Sequence, residues 1–354
     1  MNIQYLAFIR LPTEKAHGVQ IMKTCEALAR GGVHIELVVP GRRTHITEDP
    51  FHYYGVSPTF TITELNTPDW VWLGRIGYGA SLMWFSELVK FRKSFWKADV
   101  VYSRDAGVLL QYVLLGRKLV YEAHTKPTLV SRFVARRAYR VIAISEALRD
   151  AYILHGVDPS RIVCAHDAVD PHTFMVSESR EVVRQKLGIP QGVIVAMYVG
   201  RIDSAKGVSA LARAAVYLPD AYKVVIIGAG PDRETLVREC PKALFVQETP
   251  YRDLPFVLSA ADILVAPNSK QDQDAALYTS PLKAYAYLAA KKPIIASDVP
   301  SLKAVFGDHV RYVTPDDSDA LAQAIRDPLA LTAIPNIEPR SWDDRAQEIL
   351  ATLI

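Results

Sequence analysis

Residues 193–217 read VIVAMYVGRIDSAKGVSALARAAVY, and this stretch decides the fold. Val193–Val199 is an unbroken apolar run, Gly200 ends it, and a helical pattern, Val208–Tyr217, follows a short polar loop. A continuous apolar run predicts a strand buried on both faces, as in a parallel sheet that helices cover on each side. The stretch therefore predicts a strand–loop–helix unit of an α/β protein.

The same alternation recurs on both sides of this unit. Preceding strands are predicted at Ile3–Ile9, His34–Val39, Asp99–Tyr102, Lys118–Glu122, Val141–Ser145 and Arg161–His166. Following strands are predicted at Tyr222–Ile227, Leu244–Val246, Ile263–Ala266 and Pro293–Ala296. Short strands that alternate with helices indicate βαβ units and largely parallel sheets.

A polar stretch at Ser177–Gln191 interrupts the pattern, and 354 residues suffice for two α/β domains. We predict a Rossmann-like N-terminal domain over residues 1–172 and a Rossmann-like C-terminal domain over residues 173–335. Residues 336–354 are expected to contain a helix, since Ser341 is a good N-cap and Asp343 and Asp344 suit a first turn.

Composition excludes several classes of protein. A formal charge of +3 does not fit a nucleic-acid-binding protein, whose basic residues dominate one face. Cys25, Cys164 and Cys240 lie far apart, which argues against a zinc site or a disulfide framework and fits a reducing cytosol. The beginning of the sequence lacks the pattern of a signal peptide, and no apolar run reaches the roughly eighteen residues needed to span a bilayer. We expect a cytoplasmic protein.

The loop after the first predicted strand ends in His17-Gly18 and precedes a helix. A glycine at a helix N-terminus lets the backbone approach a phosphate, and the helix dipole favours the negative charge. With one glycine rather than three, the loop does not match a dinucleotide fingerprint. The alternative is a glycine that only permits close helix packing.

Two cations, Arg201 and Lys206, follow the strand Val193–Val199 within a few residues. Ligands of open parallel sheets bind at the carboxyl ends of the strands, so these cations are placed to neutralise a diphosphate leaving group. The alternative is a pair of solvated loop cations.

The third feature is Tyr278-Thr-Ser-Pro-Leu-Lys-Ala-Tyr-Ala-Tyr287. Ser280 is a good N-cap and Pro281 suits the first helical position, so we predict a helix that begins here. Its free backbone N–H groups would point at a phosphate.

With these features the sequence resembles the retaining GT-B glycosyltransferases of glycosyltransferase family 4, also called glycosyl transferases group 1, and within it a Thr-Ser-Pro-Leu-Lys subgroup. The motifs that carry the resemblance run in order through most of the chain. They are Thr13-Glu-Lys-Ala-His-Gly18 with Gln20, Tyr102-Ser-Arg-Asp105, Tyr121-Glu-Ala-His124, Ala143-Ile-Ser-Glu146, Asp167-Ala-Val-Asp170 before Phe174, Tyr198-Val-Gly-Arg201 with Lys206-Gly207, Thr279-Ser-Pro-Leu-Lys283, Pro293-Ile-Ile-Ala-Ser-Asp298, and Ser341-Trp342 with Arg345.

The resemblance implies a GT-B architecture, in which two facing Rossmann-like domains with parallel sheets enclose an interdomain cleft, and the C-terminal helix crosses back to the N-terminal domain. The first domain would take the acceptor and the second the nucleotide-sugar donor. The implied catalytic residues are His124, Arg201 and Lys206. The implied donor-binding residues are Gly18, Arg201, Lys206, Thr279, Ser280, Pro281, Leu282 and Ala286. The candidate acceptor residues are His17, Arg104 and Asp105.

At Ala286 the sequence departs from the family, which usually places a glutamate there at the end of a Glu-x7-Glu pattern. That glutamate would accept hydrogen bonds from both ribose hydroxyls. A hydrogen bond to a charged group contributes about 1.5–3 kcal/mol, so alanine should weaken donor binding by roughly tenfold or more.

The resemblance implies that fixed cations stabilise the leaving diphosphate in place of a metal, so we expect no cofactor and no divalent metal requirement. Asp272-x-Asp274 superficially matches a metal-binding Asp-x-Asp, but a solvated loop before the helix is the favoured interpretation. We expect a nucleotide-sugar donor and an acceptor that is a sugar, a lipid-linked molecule or a small molecule.

Residues 82–97 mix aromatic and basic side chains, which is typical of helices that lie on a membrane surface. The alternative is a core-packing helix with a solvated basic face. A peripheral contact with the inner face of a membrane is therefore a further expectation.

Three other functions compete. The first is a non-catalytic relative, which the alanine at position 286 motivates, and the second is a sugar-nucleotide epimerase on the same fold. The third, a dinucleotide-dependent dehydrogenase, is disfavoured because no Gly-x-Gly-x-x-Gly follows the first strand.

Overall fold

The computed structural model of the chain describes residues 1–353. It divides into two compact units. The first comprises Met1–Asp167 together with the C-terminal segment that begins at Trp342, and the second comprises Ala168–Ser341.

The first unit contains a seven-stranded sheet in which every paired strand is parallel, in the order β3-β2-β1-β4-β5-β6-β7. Its strands are β1 (Asn2–Leu6), β2 (His34–Pro40), β3 (Thr61–Leu65), β4 (Val100–Ser103), β5 (Leu119–Ala123), β6 (Arg140–Ala143) and β7 (Ile162–Cys164). Its first helices are α1 (Ala16–Arg30), α2 (Pro50–Tyr54), α3 (Gly74–Lys90), α4 (Lys93–Lys97), α5 (Ala106–Leu110), α6 (Leu129–Arg137) and α7 (Glu146–Leu154).

The second unit contains a six-stranded parallel sheet in the order β10-β9-β8-β11-β12-β13. Its strands are β8 (Ile194–Val199), β9 (Tyr222–Ile227), β10 (Leu244–Val246), β11 (Ile263–Ala266), β12 (Ile294–Ser297) and β13 (Arg311–Val313). Its helices are α8 (Arg180–Lys186), α9 (Val208–Ala214), α10 (Arg233–Glu239), α11 (Leu254–Ser259), α12 (Gln273–Tyr278), α13 (Leu282–Ala289), α14 (Pro300–Phe306) and α15 (Ser318–Arg326).

Strand β8 shows why its apolar run is continuous. Val195 and Met197 are buried in one core cluster of the second unit, whereas Ala196 and Tyr198 are buried in another. Successive side chains of a strand point to opposite faces, so a strand with helices on both faces needs apolar residues at every position. The predicted α/β class with two Rossmann-like, parallel-sheet units is confirmed.

The last helix, α16 (Trp342–Leu353), belongs to the first unit. It packs on α1, where a Cβ added to Gly31 would lie 2.6 Å from Leu350 Cδ1. Trp342 and Arg345 are both fully buried.

Several predicted boundaries are wrong. Strands β3 and β13 were not predicted because polar residues interrupt their apolar pattern. Helix α12 occupies part of the predicted loop Ser269–Asp274, since Asp272 caps it by accepting a hydrogen bond from the Ala275 amide at 2.9 Å. The predicted helix Val208–Tyr217 ends at Ala214 and continues as a 3-10 turn.

Candidate active site

In the first unit, the predicted site residues lie at the carboxyl ends of three neighbouring strands. His17 and Gly18 follow β1, Arg104 and Asp105 follow β4, and His124 follows β5. The strand order reverses between β1 and β4, and open α/β sheets bind ligands at such a switch point. The sheet therefore brings these residues to one edge.

Glu122, a fully buried residue of β5, is the centre of this cluster. Its Oε1 atom lies 2.5 Å from Gln20 Nε2, 2.6 Å from His124 Nε2 and 2.8 Å from Arg345 Nη2, and its Oε2 accepts from the Tyr102 hydroxyl at 2.5 Å. Burial alone would raise the pKa of Glu122, but the charge of Arg345 and these hydrogen bonds outweigh it and hold that pKa below its usual range. The carboxylate is therefore ionised near neutral pH.

His124 is neutral near pH 7. Burial and the nearby charge of Arg104 lower the pKa of His124 to about 4, although Glu122 opposes the shift. A neutral imidazole that donates from Nε2 to the Glu122 carboxylate keeps Nδ1 as an acceptor. His124 can thus accept a hydrogen bond from a sugar or acceptor hydroxyl.

His17 and Gly18 lie in the first turn of α1, not in the loop before it as predicted. Burial, followed by the charge of Arg104, lowers the pKa of His17 to about 4. The Gly18 amide donates to the Lys15 carbonyl at 2.9 Å, and a Cβ at Gly18 would lie 2.2 Å from the Tyr54 hydroxyl. Close packing against Tyr54 is therefore sufficient to require a glycine at position 18.

Arg104 and Asp105 differ in their surroundings. Arg104 Nη1 donates to Gln20 Oε1 at 2.9 Å, which joins it to the Glu122 cluster. Asp105 caps α5 by accepting from the amides of Gly107 and Val108, and burial raises its pKa. Asp105 thus has a structural role in addition to the predicted contact with the acceptor.

In the second unit, Arg201 and Lys206 follow β8, where the strand order reverses between β8 and β11. Arg201 Nε donates to Asp203 Oδ2 at 2.7 Å, and the side chain of Arg201 is 59% exposed. Asp203 also accepts from the Lys206 amide at 3.1 Å and so ties the two cations into one loop. Gly207 ends this loop with φ of +62°, and a Cβ there would lie 1.9 Å from the Pro267 carbonyl oxygen.

The predicted capping by Ser280 is wrong. The Ser280 hydroxyl lies 3.3 Å from the Tyr285 hydroxyl, Pro281 occupies the N-cap position, and the helix begins at Leu282. Thr279 ends α12, and its hydroxyl donates to the Ala275 carbonyl at 2.7 Å.

Ala286 lies on α13 with its methyl group fully buried in the core of the second unit. A glutamate at this position would have to fit a carboxylate into an apolar core or displace its neighbours. The small side chain of Ala286 thus fits the packed core that surrounds it.

Sequence reasoning missed the roles of Glu122, Arg345 and Lys283, although all three stand in the motifs quoted above. The signal for Glu122 was one carboxylate in the otherwise apolar strand Leu119–Ala123, because a buried charge requires partners. Its partner Arg345 is 223 residues away, a distance in sequence that no periodicity can bridge.

Among residues 1–353, one group with metal-binding side chains comes together, namely Glu146, Cys164 and His166, whose ligand atoms lie within 4.8 Å of one another. Glu146 is also paired with Arg149, whose guanidinium already supplies a positive charge there. The expected absence of a metal requirement stays a prediction.

No helix in the described part of the chain is long and apolar enough to cross a bilayer.

Comparison with known proteins places these features in one class. Residues 17–173 match the family described as Glycosyltransferase Family 4, and residues 179–348 match the family described as Glycosyl transferases group 1. Together the two matches cover most of the chain.

Relatives and solved structures agree with these matches. The glycosyltransferase TuaC of Bacillus subtilis, assigned to teichuronic acid biosynthesis, is 32% identical over 188 residues, which are 52% of this chain and 45% of TuaC. A D-inositol 3-phosphate glycosyltransferase of Xylanimonas cellulosilytica is 28% identical over 65% of this chain and 57% of its own length. The chain spans about half the length of these curated relatives.

The fold matches HepE of Anabaena, solved in complex with UDP and glucose, with a TM-score of 0.74 and 16% identity over 99% of this chain and 98% of that one. A sucrose-phosphate synthase of Thermosynechococcus elongatus gives a TM-score of 0.74 and 19% identity over 99% and 94%.

The two parallel-sheet Rossmann-like units and the likeness to solved glycosyltransferase structures place the chain in the GT-B fold class. It belongs to the group 1 glycosyltransferases of glycosyltransferase family 4, and the predicted family is confirmed.

Proposed function

We propose that this chain transfers a sugar from a nucleotide-diphosphate sugar to an acceptor hydroxyl, with retention of anomeric configuration and without a divalent metal. The observation that carries the proposal is the pair of cations, Arg201 and Lys206, at the switch point of the sheet in the second unit. Family membership supports it, as does the UDP and glucose bound by HepE.

The reaction depends on stabilising the negative charge of the leaving group. As the glycosidic bond to the diphosphate breaks, negative charge grows on the leaving phosphate, and Arg201 and Lys206 stabilise it. The departing phosphate oxygen takes the acceptor proton, so no protein nucleophile is required. Neutral His124 orients a hydroxyl through Nδ1, while Glu122 holds the imidazole in place.

The acceptor is proposed to bind the first unit near His17, Arg104 and Asp105. TuaC is assigned to teichuronic acid biosynthesis, and another relative is a D-inositol 3-phosphate glycosyltransferase. These names support an acceptor in polysaccharide, glycolipid or other glycoconjugate synthesis.

The test is calorimetric titration of UDP, GDP and ADP in EDTA, followed by turnover of the matching sugar nucleotide and proton NMR of the anomeric product. We expect micromolar binding of one nucleotide and an unchanged anomeric configuration. Arg201→Met and Lys206→Met should each weaken binding about tenfold or more. Lys242→Met is the matched control, because Lys242 is exposed and precedes β10 at the opposite end of the strands.

Inverted product contradicts retention, and activity that EDTA abolishes and manganese restores contradicts metal independence. Nucleotide binding without turnover on any acceptor favours the alternative, a non-catalytic relative or partner subunit. The buried alanine at position 286, where the family usually has glutamate, motivates this alternative.

We also propose a peripheral contact of the first unit with the cytoplasmic face of a membrane. The exposed apolar segment, residues 70–76, contains Trp72 at 79% exposure and Ile76 at 86%. Within residues 82–97, the aromatic residues Phe85 and Phe95 are fully buried and do not belong to this surface. The exposed apolar surface thus includes residues 70–76 together with Met83, Trp84, Phe91 and Trp96.

Charge supports an anionic membrane as the occupant. Residues 70–97 contain five basic residues and one acidic residue, a net +4, whereas the whole chain carries only +3. Exposed tryptophans beside cations are typical of helices in the headgroup layer.

Pelleting with phosphatidylglycerol vesicles tests this contact. Trp72→Glu and Ile76→Glu should each weaken binding at least about tenfold, because burying such a side chain contributes about 1.5–3 kcal/mol. Leu154→Glu is the matched control, since Leu154 is 84% exposed and lies on α7. Binding that is absent, or equally strong in high salt, contradicts the proposal.

A further inference from the structure

Lys283 has an unusual environment in the second unit. Its Nζ atom is buried and has no hydrogen-bond partner among the described residues. The ammonium lies 4.3 Å from the ring centroid of Tyr198, whose hydroxyl donates to the Arg201 carbonyl at 2.7 Å. Tyr198, which contacts the amine, is thus bonded to the loop that carries Arg201 of the proposed donor site.

Three features of this position disfavour a positive charge. The nitrogen is removed from water, Lys206 is close enough to repel it, and Lys283 lies in the first turn of α13, where the helix dipole opposes a cation. Burial and then Lys206 lower the pKa of Lys283 well below its ordinary value, and Asp203 opposes the shift. The face of Tyr198 also favours the ammonium, but it replaces only part of the lost hydration.

A bound anion would offset all three features. A diphosphate beside Lys206 would outweigh its repulsion, supply acceptors for the amine hydrogens, and suit the N-terminus of α13. We propose that Lys283 binds the diphosphate group of the donor from the buried side of the site, and that donor binding draws a proton from solvent onto its amine. The proposal rests on the proposed function for the identity of the donor.

The proton count distinguishes this role from a merely structural one. Titration calorimetry of UDP in buffers of different ionisation enthalpy, such as HEPES and Tris, measures the protons taken up. Between about pH 7 and 9 the phosphates of UDP are already ionised, since their last pKa is near 6. The charged and titratable groups that face the amine are Lys206, Asp203 and Tyr198.

We expect the wild type to take up as much as one proton per UDP. Lys283→Met should take up none and bind UDP at least about tenfold more weakly, as expected for the loss of a charge-assisted hydrogen bond. Lys283→Arg should retain affinity without proton uptake, because a guanidinium stays charged. Lys242→Met, the exposed lysine control, should match the wild type.

Inorganic diphosphate and uridine separate the possible failures. Loss of diphosphate binding in Lys283→Met with unchanged uridine binding supports the inference, even if UDP itself does not bind and the proposed function fails. If Lys283→Met binds UDP with wild-type affinity and proton count, the inference is overturned while the proposed function stands. Should Lys283→Met not fold, proton uptake in Lys283→Arg equal to that of the wild type overturns it. Failure of the wild type to bind UDP and diphosphate overturns both.

Discussion

Arg345 joins the C-terminal helix α16 to the core of the first unit through a buried ion pair with Glu122, and its replacement by methionine should destabilise this unit. Arg345 Nη2 contacts Glu122 at 2.8 Å, and Nη1 donates to the Thr24 hydroxyl at 3.0 Å. The side chains of Arg345 and Glu122 are 1% and 0% exposed. Arg345→Met keeps much of the buried volume and removes the charge.

Removing one partner of a buried ion pair costs about 3–5 kcal/mol, because the remaining charge stays buried. Glu122 keeps its hydrogen bonds with Gln20, Tyr102 and His124. Because these bonds still stabilise the carboxylate, we expect the loss of folding free energy to stay within that range. The matched control is Asp343→Asn, which breaks an exposed pair with Arg30 on the same helix interface. An exposed pair and a charge at a helix N-terminus together contribute at most about 2 kcal/mol.

Urea unfolding followed by tryptophan fluorescence measures both variants. All five tryptophans, at positions 70, 72, 84, 96 and 342, belong to the first unit, so the signal reports the unfolding of that unit. We expect Arg345→Met to lose about 3–5 kcal/mol. Adding Glu122→Gln should recover part of the loss, since the charge left unpaired is then removed. A cost for Arg345→Met no larger than that of Asp343→Asn would refute the reasoning.

Three further predictions concern the same clusters. Burial raises the pKa of Asp167 from 3.8 to about 7, so the folded state favours the protonated carboxyl. The stability that this protonation contributes to the folded state is fully present below about pH 4 and is lost as pH rises through 7. Asp167→Asn should therefore unfold at higher urea than the wild type above pH 7, with a gain that shrinks toward acid, and a constant difference contradicts this. His124→Ala should lower turnover by up to about 10²-fold because the hydroxyl is no longer oriented, while His34→Ala, at an exposed histidine, should not. Because burial lowers the pKa of His124 to about 4, the acid limb of the wild-type rate should lie well below pH 6.5, and a limb at 6.5 would contradict a neutral imidazole. Ala286→Glu should lower the melting temperature measured by circular dichroism without tightening UDP binding, since the methyl group of Ala286 is fully buried. Tenfold tighter UDP binding at an unchanged melting temperature would instead indicate that a glutamate at this position binds the ribose.

The α/β class and most central strands could be predicted from local pattern. Strands β9, β10 and β11 have the predicted bounds, because nearly every position in them is apolar, as parallel strands covered by helices require. Edge strands β3 and β13 were missed, since polar side chains interrupt the apolar pattern at Thr61, Thr63 and Glu64 of β3 and at Arg311 of β13. The cations Arg201 and Lys206 could be located because a strand end in a parallel sheet predicts the edge at which ligands bind.

Capping and burial could not be predicted in the same way. Ser280 looks like an N-cap, but its hydroxyl meets Tyr285, and Asp272 caps a helix that replaced a predicted loop. Both contacts are local, but the backbone and side-chain conformations that select between competing caps depend on how the segment packs. Ala286 likewise could be seen as a missing glutamate, whereas its burial is visible only in the packed core.

The two-unit α/β architecture, the family and the positions of the candidate cations could all be predicted from local patterns, because strand periodicity, strand ends and short motifs are properties of neighbouring residues. Only the tertiary structure decided that Glu122 joins Gln20, His124 and Arg345, and that the amine of Lys283 is buried on Tyr198. Protonation states follow from these arrangements, since a pKa depends on desolvation and on charges a few ångströms away. Those neighbours come from distant parts of the chain, so their effect is set only when the sheets assemble.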